Sequence, residues 1–135
     1  MKKQTVNRLI DANLNRSKEG LRVLEDISRF IMDDPGSTRK WRALRHGLTE
    51  TVADLGWTKL LAARDIENDV GRSSVATELK RRDVKDIFYA NAQRVKESVR
   101  VLEEFSKLEN KKTANDLKQI RYGVYALERT AAAKL

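Results

Sequence analysis

Two segments of the chain are copies of each other: Asp11–Phe30 reads DANLNRSKEGLRVLEDISRF and Tyr89–Leu108 reads YANAQRVKESVRVLEEFSKL. At an offset of 78 residues, ten of the twenty aligned positions are identical, and most of these are polar. A shorter echo follows each copy, Leu44-Arg45-His46-Gly47 and then Ile120-Arg121-Tyr122-Gly123. A duplication kept only for packing preserves its apolar positions and lets surface charges change. The retained Asn, Arg, Lys and Glu residues therefore predict a paired polar site.

The composition predicts one all-α domain. The chain has 135 residues, of which 36% are charged and 6% aromatic, with one proline and six glycines. This length supports a single hydrophobic core but not two. The apolar residues recur with helical spacing, and few residues break helices.

The net charge and the missing residue types limit the classes of function that this chain can have. A net charge of +8 favours anionic partners, which could be nucleic acid, a phosphorylated metabolite or a nucleotide, and charge alone does not choose among them. The absence of cysteine excludes disulfides, thiol catalysis and cysteine-ligated metals. No two glycines are closer than nine residues, which excludes the glycine-rich phosphate loops. No apolar run approaches the ~18 residues of a membrane span, and Met1-Lys2-Lys3 leads into polar sequence, so we expect a cytoplasmic protein with no membrane partner.

The repeats predict a four-helix bundle with approximate internal two-fold symmetry. Each repeat, about 5–56 and about 83–133, contains a long helix, a turn and a second helix. Segment 64–82 connects them and lacks periodicity. The expected caps are Thr5 for the first helix, Ser37 or Thr38 for the second, and the boxes Asp83-x-x-Asp86 and Thr113-x-x-Asp116 for the others. Helices one and three would each be roughly 40 Å long at ~1.5 Å per residue, which favours a homodimer along them.

Arginines and asparagines of both repeats form the first candidate site. On a helical wheel, Asn13 and Arg16 fall within an apolar stripe that contains Leu9 and Leu24, and the second copy repeats this placement. A buried guanidinium needs a carboxylate, a helix C-terminus or a bound anion. The predicted catalytic and substrate-binding residues in this set are Arg16, Arg94, Asn13, Asn91, Arg45, Arg121, Glu19 and Glu97.

An alternative interpretation of the same arginines is structural. In this interpretation Glu19, Asp26, Glu97 and Glu104 neutralise them and no ligand is needed. Four arginines in equivalent positions, in a chain already at +8, favour an anion site, because the planar guanidinium binds phosphate or carboxylate with two parallel hydrogen bonds.

The connecting segment supplies the second candidate site. Arg64-Asp65-x-x-x-Asp69-Val70-Gly71 places two carboxylates four residues apart beside a glycine. Mg²⁺ is commonly held by one or two carboxylates together with substrate phosphates. We predict Asp65 and Asp69 as metal ligands, Arg64 as a catalytic residue and Gly71 as a substrate contact; a solvated acidic loop is the alternative.

These motifs together resemble a known family, the small helical hydroxymethylpyrimidine-phosphate kinase of thiamine biosynthesis. The likeness rests on Asp11-Ala-Asn-Leu-Asn-Arg16, Glu19–Asp26, Arg29-Phe30, Leu44-Arg45-His46, Arg64-Asp65, Asp69-Val70-Gly71 and the second copy, Ala90–Glu104. That domain occurs alone or fused to the N-terminus of thiamine-phosphate synthase. The resemblance implies phosphoryl transfer from ATP, with Mg²⁺, to 4-amino-5-hydroxymethyl-2-methylpyrimidine phosphate, and thiamine-phosphate synthase as a functional partner.

Two other functions fit parts of the sequence. A helical mutase or lyase could use buried arginines to bind a dicarboxylate, without ATP or metal. A basic helical module could bind nucleic acid or a protein. The placement of the repeated arginines within the apolar stripe argues against nucleic acid, because nucleic-acid binders display arginines on an exposed face.

Overall fold

A computed structural model describes residues 2–135, and every regular element among them is helical. The helices are α1 (Lys3–Asp26), α2 (Pro35–Ala53), α3 (Trp57–Ala62), α4 (Ala76–Leu79), α5 (Val84–Ser106) and α6 (Lys111–Ala132). A π-helical turn, Ile27–Ile31, continues α1. The predicted all-α class is confirmed.

Four long helices form the bundle. α1 packs against α2 and α5, and α6 packs against the same two helices. The short helix α3 lies against α1. The core between them is apolar and fully buried, with Trp41 and Phe88 as its largest side chains. Segment 64–83 contributes no buried residue to this core, as its lack of periodicity predicted.

Several helix ends differ from the predicted ones. α1 begins at Lys3 instead of after Thr5, and α2 begins at Pro35 because Asp34 accepts a hydrogen bond from the backbone N of Ser37 at 3.1 Å. The cap at Asp83 is confirmed, since its side chain accepts from the Asp86 N at 3.0 Å. The Thr113 cap is wrong. Asn110 caps α6, because its amide oxygen accepts from the backbone N of both Lys112 and Thr113.

The two copies of the repeat meet where α1 crosses α5. The Ser17 and Ser98 hydroxyl oxygens lie 2.7 Å apart, and Gly20 lies directly against Val95. The offset of 78 residues exchanges these two contacts, as an internal two-fold axis requires. The superposition of the repeats by such an axis stays a prediction.

Gly20 is required by the close approach of these helices. A Cβ at this position would lie 2.6 Å from Val95 Cγ2 and 3.3 Å from the Asn91 carbonyl oxygen. Val95 is buried and β-branched, so it cannot rotate away. We expect Gly20→Ala to lower the free energy of unfolding by ~1–3 kcal/mol.

The matched control is Gly47→Ala on α2, where a Cβ meets nothing within 4 Å. The better helix propensity of alanine should raise stability there by up to ~1 kcal/mol. Urea denaturation of the two variants measures both effects. Equal stability changes would contradict the close crossing of α1 and α5.

Candidate active site

A groove of about 670 Å³ lies between α1 and the loop that follows α3. Its floor is the face of α1 opposite the core, and its other wall is segment 64–70. Six of the predicted site residues line it: Asn13, Arg16, Glu19, Arg64, Asp65 and Asp69. The groove therefore joins three of the eight residues of the first candidate site to the second candidate site.

Asp11 and Arg64 form an ion pair at this wall. Arg64 Nε donates to Asp11 Oδ2 at 2.8 Å, and Arg64 Nη2 donates to Asp11 Oδ1 at 2.9 Å. The Asp11 carboxylate is buried, whereas the Arg64 side chain is 44% exposed. The hydrogen bonds and charge of Asp11 raise the pKa of Arg64 above its ordinary value. Arg64 is thus bound to a carboxylate, which was not expected of a predicted catalytic residue.

Arg16 was predicted to point into the helix interior, and this placement is wrong. Its side chain is exposed and lines the groove. The buried stripe of α1 is centred on Ile10, Leu14 and Leu21, and Arg16 lies outside it. Asn13 is buried as predicted, and its Oδ1 accepts a hydrogen bond from Arg16 Nη1 at 3.3 Å.

Arg8 is a groove residue that the sequence analysis missed. Its Nη2 donates to the backbone carbonyl of Asp65 at 2.8 Å, so it contacts the loop directly. The repeat gave no indication of it, because the equivalent position holds Asp86. Helical spacing could have identified Arg8, because Arg8, Ala12 and Arg16 recur every four residues along one face of α1.

The predicted metal ligands lie in the loop. Asp65 Oδ2 accepts from Asn68 Nδ2 at 2.8 Å, and its Oδ1 accepts from the Asn68 backbone N at 3.2 Å. These hydrogen bonds hold the pKa of Asp65 below its ordinary value. Asp69 Oδ1 accepts from the Gly71 N at 2.9 Å. The Asp65 carboxylate is therefore ionised near neutral pH.

The donor set is compatible with Mg²⁺ bound together with phosphates. Within residues 2–135 no group of three or more His, Asp or Glu side chains is arranged to hold a metal alone. Asp65 and Asp69 nevertheless line one groove, and one or two carboxylates suffice when phosphate oxygens complete the coordination. The role of these aspartates stays a prediction.

Arg45 and Arg121 lie elsewhere and have carboxylate partners. Arg45 donates to Glu25 Oε1 at 3.0 and 3.2 Å, and Arg121 donates to Glu103 Oε2 at 2.9 Å. Neither arginine lines the groove. The structural interpretation fits both, but the neutralising residues are Glu25 and Glu103 instead of Glu19, Asp26, Glu97 and Glu104.

The second repeat contributes nothing to this groove. Asn91 Nδ2 donates to the Ile87 carbonyl at 2.8 Å, as Asn13 Nδ2 does to the Leu9 carbonyl at 3.0 Å. Arg94 is exposed, which corrects its predicted interior placement, and Glu97 Oε1 accepts from Gln93. None of Asn91, Arg94 and Glu97 lines the groove. Arg16 and Arg94 were predicted, with Asn13 and Asn91, to line one or two anion pockets where the two long helices meet; within this chain Arg94 and Asn91 do not line the groove that contains Arg16.

A second depression, between α2 and α6, has an apolar lining, unlike the groove. It has a volume of about 400 Å³ and is lined by Leu44, Leu127 and small residues, with Lys40 as its charged member. A surface of this kind does not bind a polyanion. Across residues 2–135, none of the helices combines the length and apolarity needed to cross a bilayer.

The fold and the groove define an all-helical domain with arginines and aspartates facing each other across one cleft. The model of the ThiD2 family matches residues 8–130, and the chain belongs to that family.

Relatives with curated names are longer than this chain. It is 43% identical over 124 residues to a thiamine-phosphate synthase of Synechocystis sp., which covers 91% of this chain and 35% of that protein. It is 35% identical over 133 residues to a thiamine-phosphate synthase of Rhodopirellula baltica, which covers 98% and 36%. The chain thus spans about a third of the length of these relatives. No solved structure matches it.

Proposed function

We propose that this chain takes part in thiamine biosynthesis as an ATP-dependent kinase that converts hydroxymethylpyrimidine phosphate to its diphosphate. Family membership and the thiamine-phosphate synthase relatives support the pathway. The observation that carries the reaction is the groove, in which Arg8 and Arg16 from α1 face Asp65 and Asp69 from the loop. Its volume of about 670 Å³ lies in the usual range for small-molecule sites.

The charge of the groove favours a phosphate bound together with a cation. Its lining includes three arginines, Arg8, Arg16 and Arg64, and four carboxylates, Asp11, Glu19, Asp65 and Asp69, which gives a formal charge of −1. A free anion gains little from such a surface, whereas a divalent cation with its phosphates is attracted by both signs. A nucleic-acid backbone is disfavoured for the same reason. Burial of the arginines does not support the site, because Arg16 and Arg94 are exposed.

The proposed reaction suits a groove without a histidine. The attacking group is a phosphate monoester whose second pKa is ~6, so it is largely ionised at neutral pH and needs no general base. Catalysis then depends on bringing two polyanions together and stabilising the transferred phosphoryl group. Arg16, oriented by Asn13, is the cation best placed to do so from α1, and Arg8 is the second. Bound Mg²⁺ would neutralise the β- and γ-phosphates of ATP, and Asp65 and Asp69 would hold it.

The assembly and partners are part of the same proposal. We expect a homodimer along the long helices and a functional or fused association with thiamine-phosphate synthase, in the cytoplasm. The length of the relatives, about three times that of the matched region, supports the association with a further domain.

One assay tests the reaction. Release of ADP from ATP and Mg²⁺ is followed with the pyrimidine phosphate, with the free pyrimidine alcohol and without an acceptor. We expect ADP only with the phosphate, because its second pKa of ~6 leaves the attacking oxygen ionised at neutral pH, whereas the alcohol must first lose its proton. ADP release with the alcohol alone, or with no acceptor, would contradict the proposal.

The aspartates of the loop should act through the metal. We expect Asp65→Asn and Asp69→Asn to reduce turnover strongly and to change the melting temperature little, because neither side chain lies in the core. Raising Mg²⁺ should restore part of the activity where only affinity was lost. Steady-state kinetics over a Mg²⁺ titration, with thermal melts in parallel, measure this. Normal turnover in both variants would mean that the metal is held elsewhere, with Glu19 and Glu97 as the next residues to change.

A further inference from the structure

The loop that carries Asp65 and Asp69 has almost no apolar anchor. After Ala63, which is buried, no residue up to Phe88 is buried in the core. The groove-lining apolar residues of the loop are themselves exposed, with Ile66 at 62% and Val70 at 105%. Two arginine contacts with α1 join this loop to the bundle: Arg64 with Asp11, and Arg8 with the Asp65 carbonyl. The position of the aspartates therefore depends on polar contacts instead of packing.

Hydrogen bonds occupy both carboxylate oxygens of Asp11. Its two carboxylate oxygens accept both Arg64 hydrogen bonds, and Asn15 Nδ2 donates to its Oδ1 at 3.3 Å and to its backbone carbonyl at 2.9 Å. A buried carboxylate beside an anion site would by itself repel the ligand. Its pairing with Arg64 removes that repulsion and leaves Arg8 and Arg16 as the arginines available to a phosphate.

The duplication supports a role specific to this groove. The position equivalent to Asp11 in the second copy holds Tyr89, which is half-exposed and packs edge-on against Phe88. The ion pair of Asp11 with Arg64 therefore has no counterpart at the aligned position of the second copy. Asp11 occurs in the copy that contacts the loop.

We propose that Asp11 is a positioning residue: it fixes Arg64, and through Arg64 the loop with Asp65 and Asp69, against α1. The part of this inference that concerns substrate rests on the kinase activity proposed above. Arg64 acts in this proposal as a tether of the loop and does not contact the transferred phosphoryl group.

A double-mutant cycle tests the pair. Asp11→Asn keeps the shape of the side chain and removes its charge; Arg64→Ala removes the partner; the third variant combines both. We expect each single variant to raise the KM for Mg²⁺–ATP by ~10-fold with a smaller change in kcat, and the double variant to be no worse than either, because residues that act as one unit are not additive. Arg64→Lys should restore part of the affinity, since it can still pair with Asp11.

Trypsin provides a readout that does not depend on activity. Besides Arg64 itself, the segment carries cleavage sites at Arg72, Lys80, Arg81 and Arg82, which all the variants retain. Cleavage there tracks the population of the opened loop. We expect cleavage to be several-fold faster, roughly 5-fold, in Asp11→Asn, in Arg64→Ala and in the double variant alike. The matched control is Arg22→Ala, which removes an arginine that pairs with Asp26 on the same helix, outside the groove.

The outcomes separate the two proposals. Faster cleavage in the variants, with no kinase activity in the wild type, supports the tether and overturns the reaction. Unchanged cleavage in Asp11→Asn overturns the tether whatever the activity. Tighter Mg²⁺–ATP binding by Asp11→Asn, or losses that multiply in the double variant, would show that Asp11 only repels the ligand or that Arg64 binds it directly.

Discussion

Arg16→Ala is expected to reduce kcat/KM for the pyrimidine phosphate by ~10²-fold, because a charge-assisted contact in a partly dry site contributes roughly 2–4 kcal/mol. Arg16 lies on the floor of the groove, and Asn13 orients it from a buried position. Its exposure means that no core contact is lost in the variant. The melting temperature should therefore stay close to that of the wild type.

Arg94→Ala is the comparison that the duplication itself provides. It changes the same residue type at the equivalent position of the second copy, outside the groove. The duplication alone predicts equal losses for the two variants, whereas the structure predicts a change of no more than a few-fold for Arg94→Ala. Steady-state kinetics at saturating Mg²⁺–ATP distinguish the two results. Equal losses would mean that the active site joins both copies, as it could across two chains of a dimer.

The fold could be predicted from the sequence because its signals are local and repeated. Helical spacing and the break just before Pro35 define the first pair of helices, and the second copy repeats the pattern. Helix ends were less predictable. Asn110 competes with Thr113 for the same cap, and a π-helical turn extends α1 through Ile31. Asn and Thr are both common N-cap residues, so residue type alone does not choose between them.

Only part of the candidate site could be predicted, because the predicted buried face of α1 was rotated relative to the observed one. The predicted stripe of α1 included Leu9 and Leu24 but left out Ile10, Leu14 and Leu21, and this rotated its centre toward Arg16. The face of α1 that is buried in the bundle carries Glu25. The groove lies on the opposite, polar face of α1.

The site contacts that were not predicted join segments that are distant in sequence. Asp11 meets Arg64 and Arg8 meets Asp65 only because the loop folds back over α1. Neither contact follows from spacing along the chain. The residues that the duplication marked as equivalent, Arg45 and Arg121, each bind a buried glutamate, Glu25 and Glu103 respectively, instead of a ligand.

The buried glutamates Glu25 and Glu103 give the largest expected effects on stability. Glu25 is buried and binds Arg45 and, at 3.2 Å, Arg42; the Arg45 side chain is 19% exposed. Glu25→Ala leaves the Arg45 guanidinium without its carboxylate, and the loss of one partner from a buried pair typically costs ~3–5 kcal/mol. Glu103→Ala should act similarly on Arg121. The control is Glu104→Ala, whose side chain is 45% exposed, and which should cost at most ~1 kcal/mol.

At acid pH we expect the stabilisation of the fold by the ionised Glu25 carboxylate to be lost. Burial raises the pKa of Glu25, but the hydrogen bonds and charges of Arg45 and Arg42 outweigh it, so that this pKa lies below its ordinary value of 4.5. A carboxyl group whose pKa is lower in the folded state stabilises the protein fully above 4.5, and this contribution is lost as pH falls through the folded-state pKa. The isosteric variant Glu25→Gln should therefore be less stable than the wild type at neutral pH and approach it in acid. Urea denaturation across this range measures the difference, and a constant difference at every pH would show that Glu25 stabilises by shape alone.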